Sequence, residues 1–574
     1  MEETQGRSKA QTIGLILGPV LALLIVLIPP PDGLSIEGLR VGALLVWMAV
    51  WWSTEAIPIP ATSLLPLVVI PIIGAGTAGQ AAVGYSSTIV LLLLGGFVVA
   101  MGIERWNLHT RIALNIVSRA GSRRRFIIAG FMIATALISA WISNTATTIM
   151  MVPIAISVAA ETGDEEGHFA KAVLLGICYS ASIGGVATPI GTPTNLIAID
   201  WLRTNTGDDI GYFQWMMFGV PAMLLLIPLA WYVVTRGLPK RAPSVTTPEQ
   251  SASPTTAEIT ATLVRLGGPI LLAFAVAWAS FAIRGATASA LNNLPASVGG
   301  IVNVAWTVGT ALAISFAFRF SARYVKKRMP VVDRPLSAEQ QEVRKHLDAL
   351  GSVTAPEARV AIVFGIVATL WVLRVPMQEY LAPIPGLGWI SGLSDMGIAA
   401  FGAVMMFLMP AGGGEKRTLL TWDEAVQLPW GVILLFGGGI SLGQAVSRTG
   451  LSEWLGNLLT VLEGAPALAV VFVVVALVVY LTELTSNVAT MTTLAPILGA
   501  FAVGVGIAPE SLLGPAAVAA SCAFMLPVAT APNAIVYASG HMHVKDMIRA
   551  GFWINIGAVI IIALIGTYLA PLAL

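Results

Sequence analysis

Two clusters of small polar residues lie inside long apolar stretches of the sequence. The first is SNTATTIMMVPI (143–154) and the second is SNVATMTTLAPI (486–497). Side-chain oxygens of Ser, Thr and Asn suit hard cations such as Na⁺, as do carbonyls freed at a helix end. The same residues cap helix N-termini, where free N–H groups and the helix dipole attract a carboxylate. Each cluster could therefore hold a cation beside an anion.

Charged side chains are almost missing around both clusters. Residues 126–160 contain no Lys, Arg, His, Asp or Glu, and residues 465–509 contain only Glu483. A carboxylate bound there would find no cationic side chain, and burying it uncompensated is costly. A helix dipole contributes only about 1 kcal/mol. Co-transported cations would supply the missing positive charge, so the pattern predicts symport.

The composition indicates that an all-α polytopic membrane protein carries these clusters. Of the 574 residues, 56% are hydrophobic and 11% are charged, against roughly 25% charged residues in soluble domains. The mean hydropathy is +0.83, and many apolar runs approach the roughly 20 residues that span a bilayer. The first apolar run is interpreted as a retained span. No nucleic acid partner is expected.

The placement of basic residues predicts how the two clusters sit in the bilayer. If 126–160 and 466–508 each dip in and return, every basic group falls on the same side as the N-terminus, as the positive-inside rule requires. These groups are Arg7/Lys9, Arg119–Arg125, Arg236/Lys240/Arg241, Arg319–Arg328, Lys416/Arg417 and Lys545/Arg549. We therefore predict two re-entrant hairpins, the first entering from the cytoplasm and the second from outside. The N-terminus is then cytoplasmic and the C-terminus outside.

An internal repeat relates the two clusters. A shift of 343 residues aligns them with six identities in twelve positions, and it also places Gly95-Gly96 on Gly438-Gly439. Further on, VATPIGTPTNLI (186–197) parallels VATAPNAIVYA (528–538), with a short deletion in the second copy. Gly and Pro are predicted to break the helix in both segments. Inverted repeats with broken helices are typical of secondary transporters.

These features divide the chain into six predicted regions. In order, they are an N-terminal tail with the first span (1–36), the first repeat (37–236, with hairpin 126–160), a polar linker (237–265), an inserted pair of spans (266–317), a basic cytoplasmic loop (318–357) and the second repeat (358–574, with hairpin 466–508).

Across 38–236 and 358–572 the sequence resembles the divalent anion/sodium symporter family, the INDY-type sodium-coupled di- and tricarboxylate transporters. The resemblance rests on the paired SNT-like motifs and on WWSTEAIPIPATSLLPL, LLGGFVVAMGIERWNLHTRIAL, SIGGVATPIGTPTNLIA and LPWGVILLFGGG. It implies a homodimer in which a scaffold domain holds the interface and a transport domain moves as an elevator. The family's exchanger branch carries basic side chains near the site, and none occurs here.

The resemblance also implies site residues at the matching positions. One Na⁺ site would use Ser139, Ser143, Asn144 and Gly191, and a second would use Thr482, Thr485, Asn487 and Ala529. The substrate carboxylates would contact Ser143, Asn144, Thr145, Ser486, Asn487, Val488 and Thr530. The second motif reads SNV, so Val488 removes one hydroxyl relative to Thr145.

The expected function is Na⁺-coupled symport of a dicarboxylate (succinate, malate or fumarate) or of citrate, by elevator-type alternating access in the plasma (inner) membrane. Na⁺ is the co-transported ion, and neither an organic cofactor nor a catalytic residue is expected. Sodium-independent exchange, or carriage of another oxyanion such as sulfate, remains the alternative. A channel is disfavoured by the inverted hairpins. A membrane-embedded enzyme would need converging ionisable groups, and the hairpins offer only Glu483.

Overall fold

The computed structural model of the protein describes residues 7–120, 123–161, 167–207, 210–238, 337–384, 386–458 and 464–574. The predicted inserted spans (266–317) lie outside these ranges, as do nearly all of the predicted linker and the first part of the basic loop. The described chain is mostly helical, and its one small sheet pairs β1 (Pro410–Gly412) antiparallel with β2 (Glu415–Thr418).

The helices preceding residue 239 come first in chain order. They are α1 (Lys9–Leu27), α2 (Ile36–Thr54), α3 (Ile59–Thr62), α4 (Leu65–Ile72), α5 (Ala78–Val83), α6 (Thr88–Arg105), α7 (Leu108–Val117), α8 (Arg124–Ser139), α9 (Asn144–Ala160), α10 (His168–Gly185), α11 (Pro193–Asn205) and α12 (Tyr212–Thr235).

The helices following residue 336 complete the fold. They are α13 (Ala338–Ala349), α14 (Ala355–Tyr380), α15 (Asp395–Leu408), α16 (Trp422–Ala425), α17 (Trp430–Arg448), α18 (Leu451–Leu458), α19 (Ala467–Leu481), α20 (Asn487–Gly504), α21 (Glu510–Ala520), α22 (Ala531–Ala538), α23 (Val544–Tyr568) and α24 (Ala570–Ala573).

Within the described ranges, eight helical stretches are long and apolar enough to cross a membrane. They are Lys9–Leu27, Ile36–Thr54, Ala78–Arg105, Tyr212–Thr235, Ala355–Glu379, Trp430–Arg448, Asn487–Gly504 and Val544–Tyr568. The stretch Lys9–Leu27 buries only 17% of its apolar window, so most of α1 is available to lipid. The prediction of a polytopic helical membrane protein is confirmed.

Each polar cluster begins a helix directly after a short non-helical segment. We call residues 140–143, between α8 and α9, the first tip, and residues 482–486, between α19 and α20, the second tip. Ser143 is extended and its hydroxyl accepts from Ala146 N at 3.2 Å; Ser486 does the same for Ala489 N at 3.1 Å. A Ser side chain thus supplies the N-cap of both helices, as predicted.

The two Gly/Pro-rich segments interrupt a helix, which confirms that prediction. The first break (186–192) separates α10 from α11, and the second break (521–530) separates α21 from α22. Pro193 opens α11 and Pro532 lies in the first turn of α22, where the missing N–H of proline costs nothing. The first break is fully buried, whereas the second is open at Val528, whose side chain is 82% exposed.

The helices around the two breaks pack reciprocally. Helix α11 lies against α20 and α21, and α22 lies against α9 and α10. The second half of each broken helix therefore packs on the polar-cluster helix of the other half of the chain. The hydroxyls of Thr194 in α11 and Ser521 in the second break are buried and 3.0 Å apart. This reciprocal packing brings both tips and both breaks into one region of the protein.

Candidate functional site

Three oxygen atoms converge at the first tip. Ser139 Oγ lies 2.7 Å from Asn144 Oδ1 and 2.7 Å from the carbonyl oxygen of Ala181. A serine hydroxyl has one hydrogen, so it can donate to only one of these two acceptors at a time. The remaining oxygen–oxygen contact is relieved either by a bound cation or by rotation of the Asn144 amide, which would turn Nδ2 toward the hydroxyl. We call this group the first oxygen cluster.

Two glycines near Asn144 allow backbone and side-chain oxygens to approach one another closely. A Cβ built on Gly185 would lie 2.7 Å from Asn144 Oδ1, and one built on Gly191 would lie 2.5 Å from Gly185 O and 2.9 Å from Ala140 O. Any side chain at either position would therefore overlap with an oxygen atom. Gly191 was predicted as a ligand position from the resemblance, and Gly185 was missed.

The second tip repeats this arrangement. Thr482 Oγ1 lies 3.0 Å from Asn487 Oδ1 and 2.9 Å from the carbonyl oxygen of Ala520. The 343-residue shift carries Ser139 onto Thr482 and Asn144 onto Asn487, so a hydroxyl and an amide oxygen occupy equivalent positions in both halves. We call this group the second oxygen cluster. Both clusters combine hydroxyl, amide and carbonyl oxygens, the ligand set that suits Na⁺.

Two asparagines that the sequence reasoning missed hold the breaks in shape. Asn195 Nδ2 donates to Gly185 O at 3.0 Å and to Thr188 O at 2.7 Å. Asn533 Nδ2 donates to Ala523 O at 2.9 Å and to Leu526 O at 3.0 Å. Both asparagines thus reach carbonyls ten and seven residues earlier. The signal available in the sequence was an Asn six residues after a Pro in each half, following Pro189 and Pro527.

This equivalence corrects one prediction. Because Asn195 and Asn533 bond to carbonyls at the same sequence separations, no residue is missing from the second break, contrary to the short deletion predicted there. The shift between the halves changes from 343 at the tips to 338 at these asparagines, so the missing residues precede the break. The alignment of VAT (186–188) with VAT (528–530) placed the gap wrongly, because three chance matches were given more weight than an ungapped alignment that ends on the two asparagines.

The remaining predicted residues are distributed around the two clusters. Thr530 caps α22 by accepting from Asn533 N at 3.2 Å, and Ala529 N bonds Leu526 O at 3.2 Å, as Gly191 N bonds Thr188 O. Thr145 is exposed, while Val488 is half-buried. Thr485 takes no part in the second cluster's contacts. Its hydroxyl donates to Leu481 O at 3.1 Å and contacts Thr490 Oγ1.

Each tip is tied to its break differently. At the first tip, Thr188 Oγ1 in the break donates to the carbonyl oxygen of Ala140. The second tip has Glu483 where the first has Ala140. The Glu483 carboxylate accepts the backbone N–H groups of Phe524, Met525 and Leu526. A neutral contact in one half is thus replaced by a buried carboxylate in the other.

A helical membrane protein with paired broken helices and duplicated oxygen clusters has the features of a secondary transporter. The family described as "Citrate transporter" (CitMHS) matches residues 49–513, which is well over half of the chain. The chain belongs to this family. It is therefore a membrane transporter and not an enzyme, and the family resemblance seen in the sequence is confirmed.

Curated relatives match nearly the whole chain. The sodium-dependent dicarboxylate transporter SdcS of Staphylococcus saprophyticus is 34% identical over 580 residues, covering 99% of this chain and 93% of the relative. SdcS of Staphylococcus aureus is 35% identical over 579 residues, covering 99% and 92%. Among solved structures, Neisseria gonorrhoeae MtrF covers 99% of this chain at 12% identity with a TM-score of 0.45, which is too low to support any inference.

Proposed function

We propose that this chain couples the movement of Na⁺ to the uptake of a C4-dicarboxylate across the plasma (inner) membrane. The observation that carries the proposal is the pair of oxygen clusters, in each of which one hydroxyl hydrogen faces two acceptors. A cation bound among these oxygens would relieve both contacts. The tips lack Lys, Arg and His, so bound Na⁺ also provides the positive charge that a carboxylate substrate requires.

The names of the relatives support the same ion and substrate class. Both SdcS proteins are named as sodium-dependent dicarboxylate transporters and align with 99% of this chain. Citrate is the second candidate substrate, since the family that includes this chain is described as citrate transporters. Val488 replaces a Thr of the first motif, and we propose that this position influences the choice between the two substrates.

The proposed binding groups are those that the family resemblance implies. Ser139, Ser143, Asn144 and Gly191 would hold one Na⁺, and Thr482, Thr485, Asn487 and Ala529 would hold another. The substrate would lie between the tips, against Ser143, Asn144, Thr145, Ser486, Asn487, Val488 and Thr530. Helices α9 and α20 begin at the tips, so their free N–H groups favour an anion. Thr485 would have to give up its bond to Leu481 O to serve as a ligand.

The reciprocal packing of the broken helices supports a two-fold relation between the halves, and we propose that this relation is an inverted repeat with re-entrant hairpins. A two-fold relation between the halves makes α11 meet α20 wherever α22 meets α9, as is observed. We propose that this interlocked unit moves as one body against the other helices in an elevator-type cycle. The chain would act as a homodimer with a cytoplasmic N-terminus and an external C-terminus.

Transport by the purified full-length chain tests the proposal. In proteoliposomes, labelled succinate and citrate are offered with an inward Na⁺ gradient, with Na⁺ equal on both sides, and with K⁺ in place of Na⁺. We expect succinate uptake above equilibrium only with the Na⁺ gradient. Uptake that ignores Na⁺ but requires internal dicarboxylate would establish exchange instead. Chemical cross-linking in the membrane tests the dimer separately.

A further inference from the structure

Glu483 follows Thr482 of the second oxygen cluster and is almost completely buried, with 4% of its surface exposed. Its Oε1 accepts from Phe524 N at 2.8 Å, Met525 N at 2.9 Å and Asn555 Nδ2 at 2.7 Å. Its Oε2 accepts from Met525 N at 3.1 Å and Leu526 N at 3.1 Å. One side chain thus binds three consecutive backbone amides and a side chain of α23.

The hydrogen-bond geometry at Glu483 favours its ionised form. Among the described residues, each hydrogen-bond partner of the carboxylate is an N–H donor, and both oxygens accept from at least two of them. A protonated carboxyl would turn its own O–H toward one of these donors and would lose an acceptor position. Hydrogen bonds to an ionised acceptor are also about twice as strong as neutral ones. In this form, Glu483 would give the second tip a negative charge.

The carboxylate replaces helix bonds that the second break has lost. Helix α21 ends at Ala520, so the amides of residues 524–526 lie beyond its last turn. In the first half, α10 continues to Gly185, and the amide of Ala187 bonds Gly184 O at 3.1 Å within its own turn. The amides of Val186 and Ala187 are thus satisfied locally, whereas those of residues 524–526 bond Glu483.

The segment that Glu483 holds leads directly to the second oxygen cluster. Leu526, whose amide bonds the carboxylate, accepts through its carbonyl from Asn533 Nδ2 at 3.0 Å and from Ala529 N at 3.2 Å. A continuous series of hydrogen bonds therefore runs from Glu483 to Ala529, a proposed ligand position. On its other side, Glu483 is adjacent to Thr482 in the chain.

We propose that Glu483 is a positioning residue of the second cation site. Its carboxylate fixes the conformation of 524–530 and gives this site a negative charge that the first site lacks. The second site would consequently bind Na⁺ without substrate, whereas the first would depend more on the charge of the bound substrate. The inference rests on the proposed Na⁺-coupled function.

The substitution Glu483→Gln tests this inference because it keeps size and removes the charge. We expect the Na⁺ concentration for half-maximal succinate uptake to rise about tenfold, the equivalent of one hydrogen bond to a charged group. The KM for succinate at saturating Na⁺ should change little. Without substrate, the increase in Tm that Na⁺ produces in the purified protein should be lost. The matched control is Glu339→Gln on α13. Glu339 is a second buried glutamate and pairs with Arg124 of α8, so this variant should leave the Na⁺ dependence unchanged.

The outcomes separate this inference from the proposed function. Wild-type uptake that does not depend on Na⁺ would refute the function itself. Na⁺-dependent wild-type uptake with an unaltered Na⁺ half-saturation in Glu483→Gln would refute only the role of Glu483. A lower maximal rate alone would do the same, because it would indicate a merely structural role.

A second variant covers the case in which Glu483→Gln does not fold. Asn555→Leu removes one donor to the carboxylate and keeps the charge, so a smaller increase of about threefold in the Na⁺ half-saturation is expected, within the usual range for one hydrogen bond. An unchanged Na⁺ half-saturation in a folded Asn555→Leu protein would overturn the proposal.

Discussion

Ser139 at the first tip and Thr482 at the second occupy equivalent positions, and each lies within 3.0 Å of an Asn oxygen and of a backbone carbonyl. Their surroundings differ. Trp141 of the first tip packs on Tyr212, Phe364 and Trp371, with ring centroids 5.8, 5.1 and 6.5 Å away. The equivalent Leu484 of the second tip is 73% exposed.

The difference indicates that the two tips have the oxygen geometry in common but not their surroundings. Around it, the first tip is enclosed by aromatic rings and has a fully buried break, whereas the second tip is open at Leu484 and Val528. The two halves therefore offer similar ligands in unlike dielectric surroundings. The cluster hydroxyls of Ser139 and Thr482 are both fully buried, and the buried carboxylate of Glu483 lies beside the second tip only.

The strongest test removes the shared element from each tip in turn. Asn144→Ala and Asn487→Ala each delete an oxygen on which a cluster depends. We expect Na⁺-dependent succinate uptake to fall at least about 100-fold in both, since loss of a ligand should exceed the effect of an outer-shell partner. Uptake is measured in proteoliposomes, with size-exclusion profiles to verify folding. A wild-type rate in either variant would contradict the assignment of that site.

The next effect concerns the asparagines that shape the breaks. Asn195→Ala and Asn533→Ala each leave two buried carbonyls without their side-chain donor, at a cost of about 1–3 kcal/mol per unsatisfied group. We expect both to lower the Tm of the purified protein. If the equivalence of the two breaks holds, the two decreases should be similar, with Asn195→Ala slightly worse because its break is fully buried. A loss confined to one half would disprove the equivalence.

A third comparison uses the aromatic packing that only one tip has. Trp141→Ala removes three ring contacts, each worth about 1 kcal/mol, so it should destabilise the protein clearly. Leu484→Ala removes an exposed side chain and should leave the Tm nearly unchanged. Thermal unfolding in one detergent measures both. Equal decreases in Tm would show that the second tip is also covered in the folded protein.

The smallest expected effect comes from making the motifs alike. Val488→Thr restores to the second motif the hydroxyl that Thr145 provides in the first. We expect the ratio of succinate to citrate uptake to shift by less than about tenfold, because one added hydroxyl discriminates weakly between substrates. The control is Thr145→Val, which makes the first motif resemble the second. No change in the ratio with either variant would remove this pair of residues from substrate selection.

Local chemistry was sufficient to predict the elements that carry the site. Ser143 and Ser486 predicted two helix starts, and the Gly/Pro-rich segments predicted two helix breaks. Both predictions were possible because helix capping and the missing N–H of proline act within a few residues. Composition alone identified the membrane protein. The ligand sets came from the family resemblance and stay predictions.

Contacts between distant parts of the chain could not be predicted in this way. Glu483 was noticed as an isolated ionisable group, but its partner Asn555 lies 72 residues away, and no spacing rule connects them. The role of Gly185 depends on a side-chain oxygen that approaches from another helix. The reciprocal packing of α11 and α22 likewise requires the tertiary fold.

The contact between Thr194 and Ser521 spans 327 residues, and this has a consequence for synthesis. When α11 leaves the ribosome, the helices that will cover it, α20 and α21, have not yet been made. The polar residues of α11 therefore lack their final packing partners until nearly the whole chain has been inserted. A nascent chain that stops before residue 487 is expected to be a substrate for membrane quality control, since its first half cannot mature alone.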